Sequence, residues 1–370
     1  MRHTTTTWAL SWARSLARRG RPAAALAGGS GEPPAGPDDR RSGRRGIVTW
    51  ATIYGFSLYG PGTIQLLDIE SERRVAGLQM LIGGGSFFWA LEGTRDYQLG
   101  AGRSLLILGG SWAGTLYGLG VPVLFKSEND KAYWAAAMIG TPAGGLLAYG
   151  LSSHRWFERG ETDLMVAGGL SGGLYGVAIP YLLDIEDLDE WTQARIYVAS
   201  AMVGTPAGVW TATRWLRGRS ISQGRAHLLS LGGVVGAGYA SGVLSLGDVE
   251  NPRAHVLAAM LGAPLGTYLG HRWTGEEEYT PARARWIILG AYVGSLFGTG
   301  VALLTDSEEH QPYVLGNILG SAAGIWYSHG LTRESRSPGP ERASVSVPSL
   351  GQWAAMGLTG LPVELVRITF

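Results

Sequence analysis

The sequence predicts an all-α, polytopic membrane protein of five tandem helical hairpins, about ten helices with a period of about 58 residues. Three observations predict it: an aromatic motif returning at a fixed interval, small residues at every fourth position, and uncharged stretches of membrane-spanning length.

The chain divides by texture. Residues 1–45 carry nine Arg among Pro, Gly and Ser with almost no aliphatic run, the composition of a disordered basic arm. Within it "WALSWARSLARRG" (8–20) is broken by Arg14, Arg18 and Arg19, so it lacks the apolar core of a secretory signal. Its Arg-rich, acid-poor texture has a transit peptide's composition only.

Residues 46–332 form the repeat domain. "SLYGPGTIQLLDIE", "TLYGLGVPVLFKSE", "GLYGVAIPYLLDIE", "AGYASGVLSLGDVE" and "SLFGTGVALLTDSE" align so that Tyr59, Tyr117, Tyr175, Tyr239 and Phe297 coincide, at spacings of 58, 58, 64 and 58. Gly140, Gly204, Gly262 and Gly320 follow the last four by 23, 29, 23 and 23 residues, the surplus six lying within "DIEDLDEWTQAR". An octapeptide that occurs nearly twice, "AMIGTPAG" (137–144) and "AMVGTPAG" (201–208), belongs to this second half. Repetition at such a period marks structure rather than one catalytic loop.

Each half-unit has a small-residue stripe. First halves carry Gly110, Gly114, Gly118; Gly168, Gly172, Gly176; Gly232, Gly236, Ala240; and Gly290, Gly294, Gly298. Second halves carry Ala136, Gly140, Gly144, Ala148; Ser200, Gly204, Gly208, Ala212; Ala258, Gly262, Gly266, Gly270; and Gly316, Gly320, Gly324, Ser328. A step of four is one helix face, where a strand needs a step of two. In water each helical Gly costs roughly 1 kcal/mol relative to Ala. Lipid offsets that cost by enforcing backbone hydrogen bonds while the stripe admits close helix contact.

Uncharged runs cover 46–67, 104–125, 164–183 and 286–305, of 20 to 22 residues each, near the roughly 20 a bilayer needs. Second helices are shorter in this respect: 256–270 offers 15 residues free of charge and His. Trp134, Trp156, Trp191, Trp215, Trp273 and Trp286 fall near predicted helix ends, as interfacial or packing aromatics do. Residues 333–348, "RESRSPGPERASVSVP", read as a Ser/Pro linker, and 349–370 as a short C-terminal tail. In that tail Val366, Ile368 and Phe370 alternate like the last strand of an outer-membrane barrel, a rival placement for the chain.

Charge sets the sides. Loops after odd helices hold 15 acidic and 6 basic residues, and loops after even helices hold 8 acidic and 11 basic. The positive-inside rule then puts both termini and the even loops in the cytoplasm, in a bacterial inner membrane. All hairpins share one orientation, unlike the inverted repeats of many transporters. A net charge of +1 gives no drive toward nucleic acid. The absence of Cys removes disulfides, thiolate zinc sites and a thiol nucleophile.

Two charged features recur in phase. Asp68, Asp184, Asp248 and Asp306 lie nine residues after the aromatic, with Lys126 as the exception, and Glu70, Glu128, Glu186, Glu250 and Glu308 lie eleven after it. This D-x-E ladder has the oxygen ligands hard cations prefer, whereas acids just ahead of a helix also serve as caps and dipole partners. Arg103, Arg225 and Arg283 each precede a stripe Gly by seven residues, with Glu161 in the third unit. They oppose the helix dipole there, which suits lipid phosphate contact or orientation.

Catalytic groupings are thin, and no cofactor is expected. No His pair has metal spacing, and the GTPAG pair lacks the Lys of a phosphate-binding loop. Pro142 and Pro206 there sit in helical register, where a kink is expected. Away from helix ends there is no Asp, Glu, Lys or Arg, only Gln79 and Asn317, whereas an ion relay needs ionisable groups within the membrane.

The Gly-every-fourth runs over 46–332 resemble glycine-zipper membrane proteins of bacteria. The resemblance implies tight helix packing and self-association, and brings no functional residue with it. The expectation is a non-catalytic membrane scaffold or assembly protein of the cell envelope, with lipid, other membrane helices or further copies as partners. A channel or transporter with a path between Gly-lined helices, and a soluble glycine-rich solenoid for binding, are the alternatives.

Overall fold

The computed structural model describes residues 37–95, 99–152, 157–275, 277–305 and 308–334, and these are all-helical, without a strand. Among the described residues ten helices follow one another. The first, α1, spans 37–66 as α-helical Pro37–Tyr54, a π turn at Gly55–Tyr59 and α-helical Gly60–Leu66. Then come α2 (Glu72–Gly93), α3 (Ala101–Leu124), α4 (Asp130–Leu151), α5 (Arg159–Leu182), α6 (Glu190–Trp215), α7 (Gln223–Leu246), α8 (Pro252–Thr274), α9 (Pro281–Leu303) and α10 (Gln311–Glu334). They pair as five hairpins. Successive odd helices touch, and each of α4, α6, α8 and α10 also touches the odd helix of the preceding hairpin. The result is an open stack in which each hairpin meets its sequence neighbours, as in a solenoid.

Four helices, α3, α5, α7 and α9, are long and apolar enough to cross a membrane by length and composition. The apolar run 46–67 is not among them, because the π turn interrupts its α-helix. That turn absorbs one extra residue. Gly43 meets Leu99 O, and its counterpart Gly102 meets Phe157 O, 59 residues on, yet Tyr59 and Tyr117 are 58 apart. A single insertion upstream of Tyr59 is what a π turn accommodates.

The basic arm expected over 1–45 gives way to helix at Pro37. Arg44 donates to Leu91 O at 2.7 Å and to Thr94 Oγ1 at 3.4 Å, and Gly43 abuts the backbone of Leu99, so tertiary contact holds this basic segment helical. Residues 1–36, Trp156, Asp306, the rest of the linker from 335, and the tail with Val366, Ile368 and Phe370 lie outside the described residues.

Helix ends follow local chemistry. Asn129, Asp189 and Asn251 cap α4, α6 and α8 by accepting from Lys131 N, Thr192 N and Arg253 N at 3.0, 3.1 and 3.0 Å. The odd helices stop differently: Asp68, Lys126, Asp184 and Asp248 adopt left-handed backbone, φ 51° to 57°. At the end of α3, Ser127 N donates to Pro122 O (2.9 Å) and Lys126 N to Val123 O (3.1 Å), the paired bonds of a Schellman stop. Asp68 and Asp248 repeat it. The laddered Asp residues are therefore not N-caps of the following helix. They hold the αL position, which Asp tolerates better than most residues.

Apolar side chains gather at one end of the stack, in Leu164, Leu216, Ile221, Ala226 and Leu229, and in Leu228, Tyr279, Ala284 and Ile287. Along the helices the seams are glycine, and large apolar side chains point outward.

Candidate functional site: seams within hairpins and joints between them

Two kinds of contact hold the repeats. Within hairpins 2 to 5 the stripes face each other backbone to backbone. Gly110, Gly114 and Gly118 meet the carbonyls of Gly144, Gly140 and Ala136, and Gly140 and Gly144 return the contact to Gly114 and Gly110. Gly168, Gly172 and Gly176 meet Gly208, Gly204 and Ser200, with Gly204 and Gly208 reciprocating. Gly232 and Gly236 meet Gly266 and Gly262, and those two reciprocate. Gly290, Gly294 and Gly298 meet Gly324, Gly320 and Gly316, with Gly320 and Gly324 reciprocating. At every one of these positions a Cβ would come within 3.0 Å of a carbonyl oxygen on the partner helix, a distance real Cβ atoms do not reach.

Hairpin 1 departs from this. Gly55, Gly60 and Gly83 meet side chains of Ser86, Gln79 and Phe56, and Gly77, Gly84, Gly85 and Gly93 have nothing within 4 Å.

Between hairpins the repeated aromatic acts as a donor. Tyr59, Tyr117 and Tyr175 each donate the phenol O–H to a carbonyl on the next hairpin, Met138 O, Met202 O and Met260 O, at 3.1, 2.7 and 2.9 Å. Each acceptor stands four residues before a proline inside its helix: Pro142, Pro206 and Pro264. Proline has no N–H, so it deprives the carbonyl four residues earlier of its helical partner. The tyrosine of the preceding hairpin replaces that lost bond. This is the role of the proline in AMIGTPAG and AMVGTPAG. At the fourth joint the helix has Ala322 in place of proline, and Tyr239 reaches both Ile318 O (3.1 Å) and Ser321 Oγ (2.8 Å).

Three residues after the aromatic a glycine makes room for the neighbour. A Cβ on Gly62, Gly120 or Gly242 would stand 2.6 Å from Met138 Sδ, 3.2 Å from Met202 Sδ or 3.0 Å from Ile318 Cδ1.

Charges complete the joint. Asp68 pairs with Lys131, Asp184 with Arg253 through two bonds, and Asp248 accepts from Gln311 Nε2 at 2.7 Å. Glu186 lies 3.5 Å from the same Arg253. Lys131, Arg253 and Gln311 occupy one repeat position on the following hairpin, so the Asp ladder staples hairpin to hairpin. The joint after hairpin 2 has reversed polarity, with Lys126 near the carboxylate of Asp189. Bonds from the Thr192 side chain and N–H hold that carboxyl below its usual range, and Lys126 adds to them. Glu70, Glu128, Glu250 and Glu308 are exposed. Among the described residues no group of acids and histidines could hold a metal ion, so the ladder is spread over separate joints rather than gathered into a site.

At the helix ends opposite the ladder, where the apolar clusters lie, Arg103, Arg225 and Arg283 lean on aromatic or imidazole rings. Arg103 lies 4.3 Å over Tyr149, Arg225 Nη2 is 3.0 Å from His271 Nδ1, and Arg283 stacks 4.3 Å over Tyr279 while its Nη1 meets Glu277 Oε1 at 2.9 Å. His227 Nε2 lies 3.2 Å from Asp163 Oδ2 on the preceding hairpin.

The tryptophans take mixed positions. Trp134 packs at Gly62, and Trp215 and Trp273 stand 5.2 and 4.6 Å from the His271 and His329 rings of the next hairpin. Trp286 is exposed.

An apolar cavity of about 930 Å³ opens beside α1, α3, α5 and α6, lined by Trp50, Trp112, Leu116, Leu170 and Leu174 among others.

The sequence had singled out the stripes and the ladder but not Met138, Met202 and Met260. Their only signal was the proline four residues on. No family model, curated protein or solved structure matches the chain, so its repeat geometry stands as the basis for any functional reading.

Proposed function

We propose that the chain is a non-catalytic integral membrane scaffold or assembly protein of the bacterial cell envelope, a glycine-zipper stack whose partners are lipid and other membrane helices. One observation carries the reading: the helices meet through glycine while large apolar side chains face outward. Leu147, Leu174, Leu296, Phe297 and Trp326 are each 61% to 78% exposed, on helices whose seams are closed backbone to backbone. A water-soluble solenoid would place those side chains inside and polar ones outside. Lipid accepts the reverse arrangement. The loop charges favour an inner membrane with both termini cytoplasmic.

A path between Gly-lined helices is the second reading, and the seams count against it, because partner backbone fills them. The decisive experiment is fractionation of the expressed chain, followed by reconstitution. Retention in the membrane pellet through carbonate and high salt, with release by detergent and no solute flux in liposomes, is the expected result. Release by salt alone overturns the membrane assignment. Solute flux overturns the scaffold.

A further inference from the structure

Every internal joint of the stack has a giving face and a receiving face, and among the described residues one of each stands exposed, on hairpins 5 and 1. Hairpin 5 carries the giving face. Phe297, at the tyrosine position, is 74% exposed, Leu304 is 87% exposed, and Gly300, in phase with Gly62, Gly120 and Gly242, has nothing within 4 Å. Hairpin 1 carries the receiving face. Met80, in phase with Met138, Met202 and Met260, is 69% exposed, and Arg73 stands exposed at the position of Lys131 and Arg253.

The charges on these two faces are complementary. Exposed Glu308 on hairpin 5 is in phase with Glu186, whose partner is Arg253, the counterpart of Arg73. A second copy therefore continues the established interface, small residue to methionine and acid to cation.

The polar link is missing from both faces together. Phe297 has no hydroxyl to give, and the residue four after Met80 is Gly84 rather than proline, so the Met80 carbonyl keeps its helical partner. Each face can thus stand in lipid without an unsatisfied polar atom, as a joint between separate molecules requires before they meet.

We propose that copies of this chain join head to tail, hairpin 5 of one against hairpin 1 of the next. This names the partner of the scaffold reading and rests on it. Such a heterologous contact closes into a ring or extends as a filament.

The chain has no Cys, so engineered pairs report cleanly. Full-length Met80→Cys and Gly300→Cys chains, co-reconstituted in liposomes and oxidised, are expected to give disulfide-linked dimers of mixed composition. Each variant alone, and a Gly238→Cys control whose Cβ meets nothing within 4 Å, is expected to give at least about fivefold less. Ala76→Cys, one turn from Met80, is a second receiving-face probe. Arg73→Glu should lower the mixed yield by about fivefold, and Glu308→Arg in the partner should restore it.

Mixed yield no higher than the control overturns the joint, as does dimerisation of Gly300→Cys with itself at equal yield. Cross-linking of Met80→Cys/Gly300→Cys within one chain overturns it too, because the two ends would then meet intramolecularly. So does cross-linking that appears only after removal of 335–370, which would assign the hairpin 5 face to the chain's own tail. A chain that resists carbonate yet fails to cross-link sinks this joint and leaves the membrane assignment standing.

Discussion

At Gly204 the nearest atoms of the partner helix are the carbonyl of Gly172 and, 3.2 Å from an added Cβ, the Cα of Gly176. Neither can move without moving a helix. Gly204→Leu should therefore cost at least the roughly 1–3 kcal/mol of an overpacked core and lower the thermal midpoint in detergent. Gly238→Ala, on a face with nothing within 4 Å, should stabilise by up to about 1 kcal/mol through helix propensity alone. Thermal melts of both decide it, and equal shifts would refute the seam. The fourfold spacing made this seam legible, because only a helix puts residues four apart on one side. The tyrosine's target was not legible, since any residue has a carbonyl and the side chain of Met202 does not announce the bond. The Asp ladder was legible as a pattern, with cation binding and helix capping both open as its cause. Its period came from a backbone conformation Asp tolerates, and its charge serves the next hairpin.

Helix boundaries were less legible than helices, for reasons visible at either end of an element. The start of α1 looks like a basic tail because its holding contacts, Arg44 to Leu91 and Gly43 to Leu99, are long-range. The π turn at Gly55–Tyr59 leaves no mark on the aromatic period, since the inserted residue precedes Tyr59. The N-terminus of α6, by contrast, follows from Asp189 and Thr192 alone. Asp189 has its folded pKa depressed, so its contribution is present above the unfolded value of about 3.9 and is lost as pH falls through the lower folded value. Amide exchange in the first turn of α6 should therefore accelerate below about pH 4, with Asp189→Ala fast at every pH. A first turn whose protection is indifferent to acid would remove Asp189 from that role.

For the molecule as a whole, the main contacts of each hairpin among the described residues are with its sequence neighbours, so stability should be close to a sum of hairpin and joint contributions. A chain ending at Gly275 loses hairpin 5 and leaves Tyr239 and Asp248 without the partners Ile318 and Gln311. It should keep the helicity of hairpins 1 to 4 by circular dichroism and lose the contribution of hairpin 5 together with that of one joint, the latter on the order of 1 kcal/mol per hydrogen bond. Collapse of all helicity would mean the stack folds as one indivisible unit.

The direction of the tyrosine bonds has a consequence for synthesis. Tyr59 leaves the ribosome before Met138, Tyr117 before Met202 and Tyr175 before Met260, so the carbonyls freed by Pro142, Pro206 and Pro264 are each made after their donor. Hairpin 1 has Gly84 where hairpins 2 to 4 have proline, and hairpin 5 has Phe297 where the others have tyrosine. Emerging from the ribosome one hairpin at a time, the chain inserts none of these three acceptors ahead of the tyrosine that satisfies it.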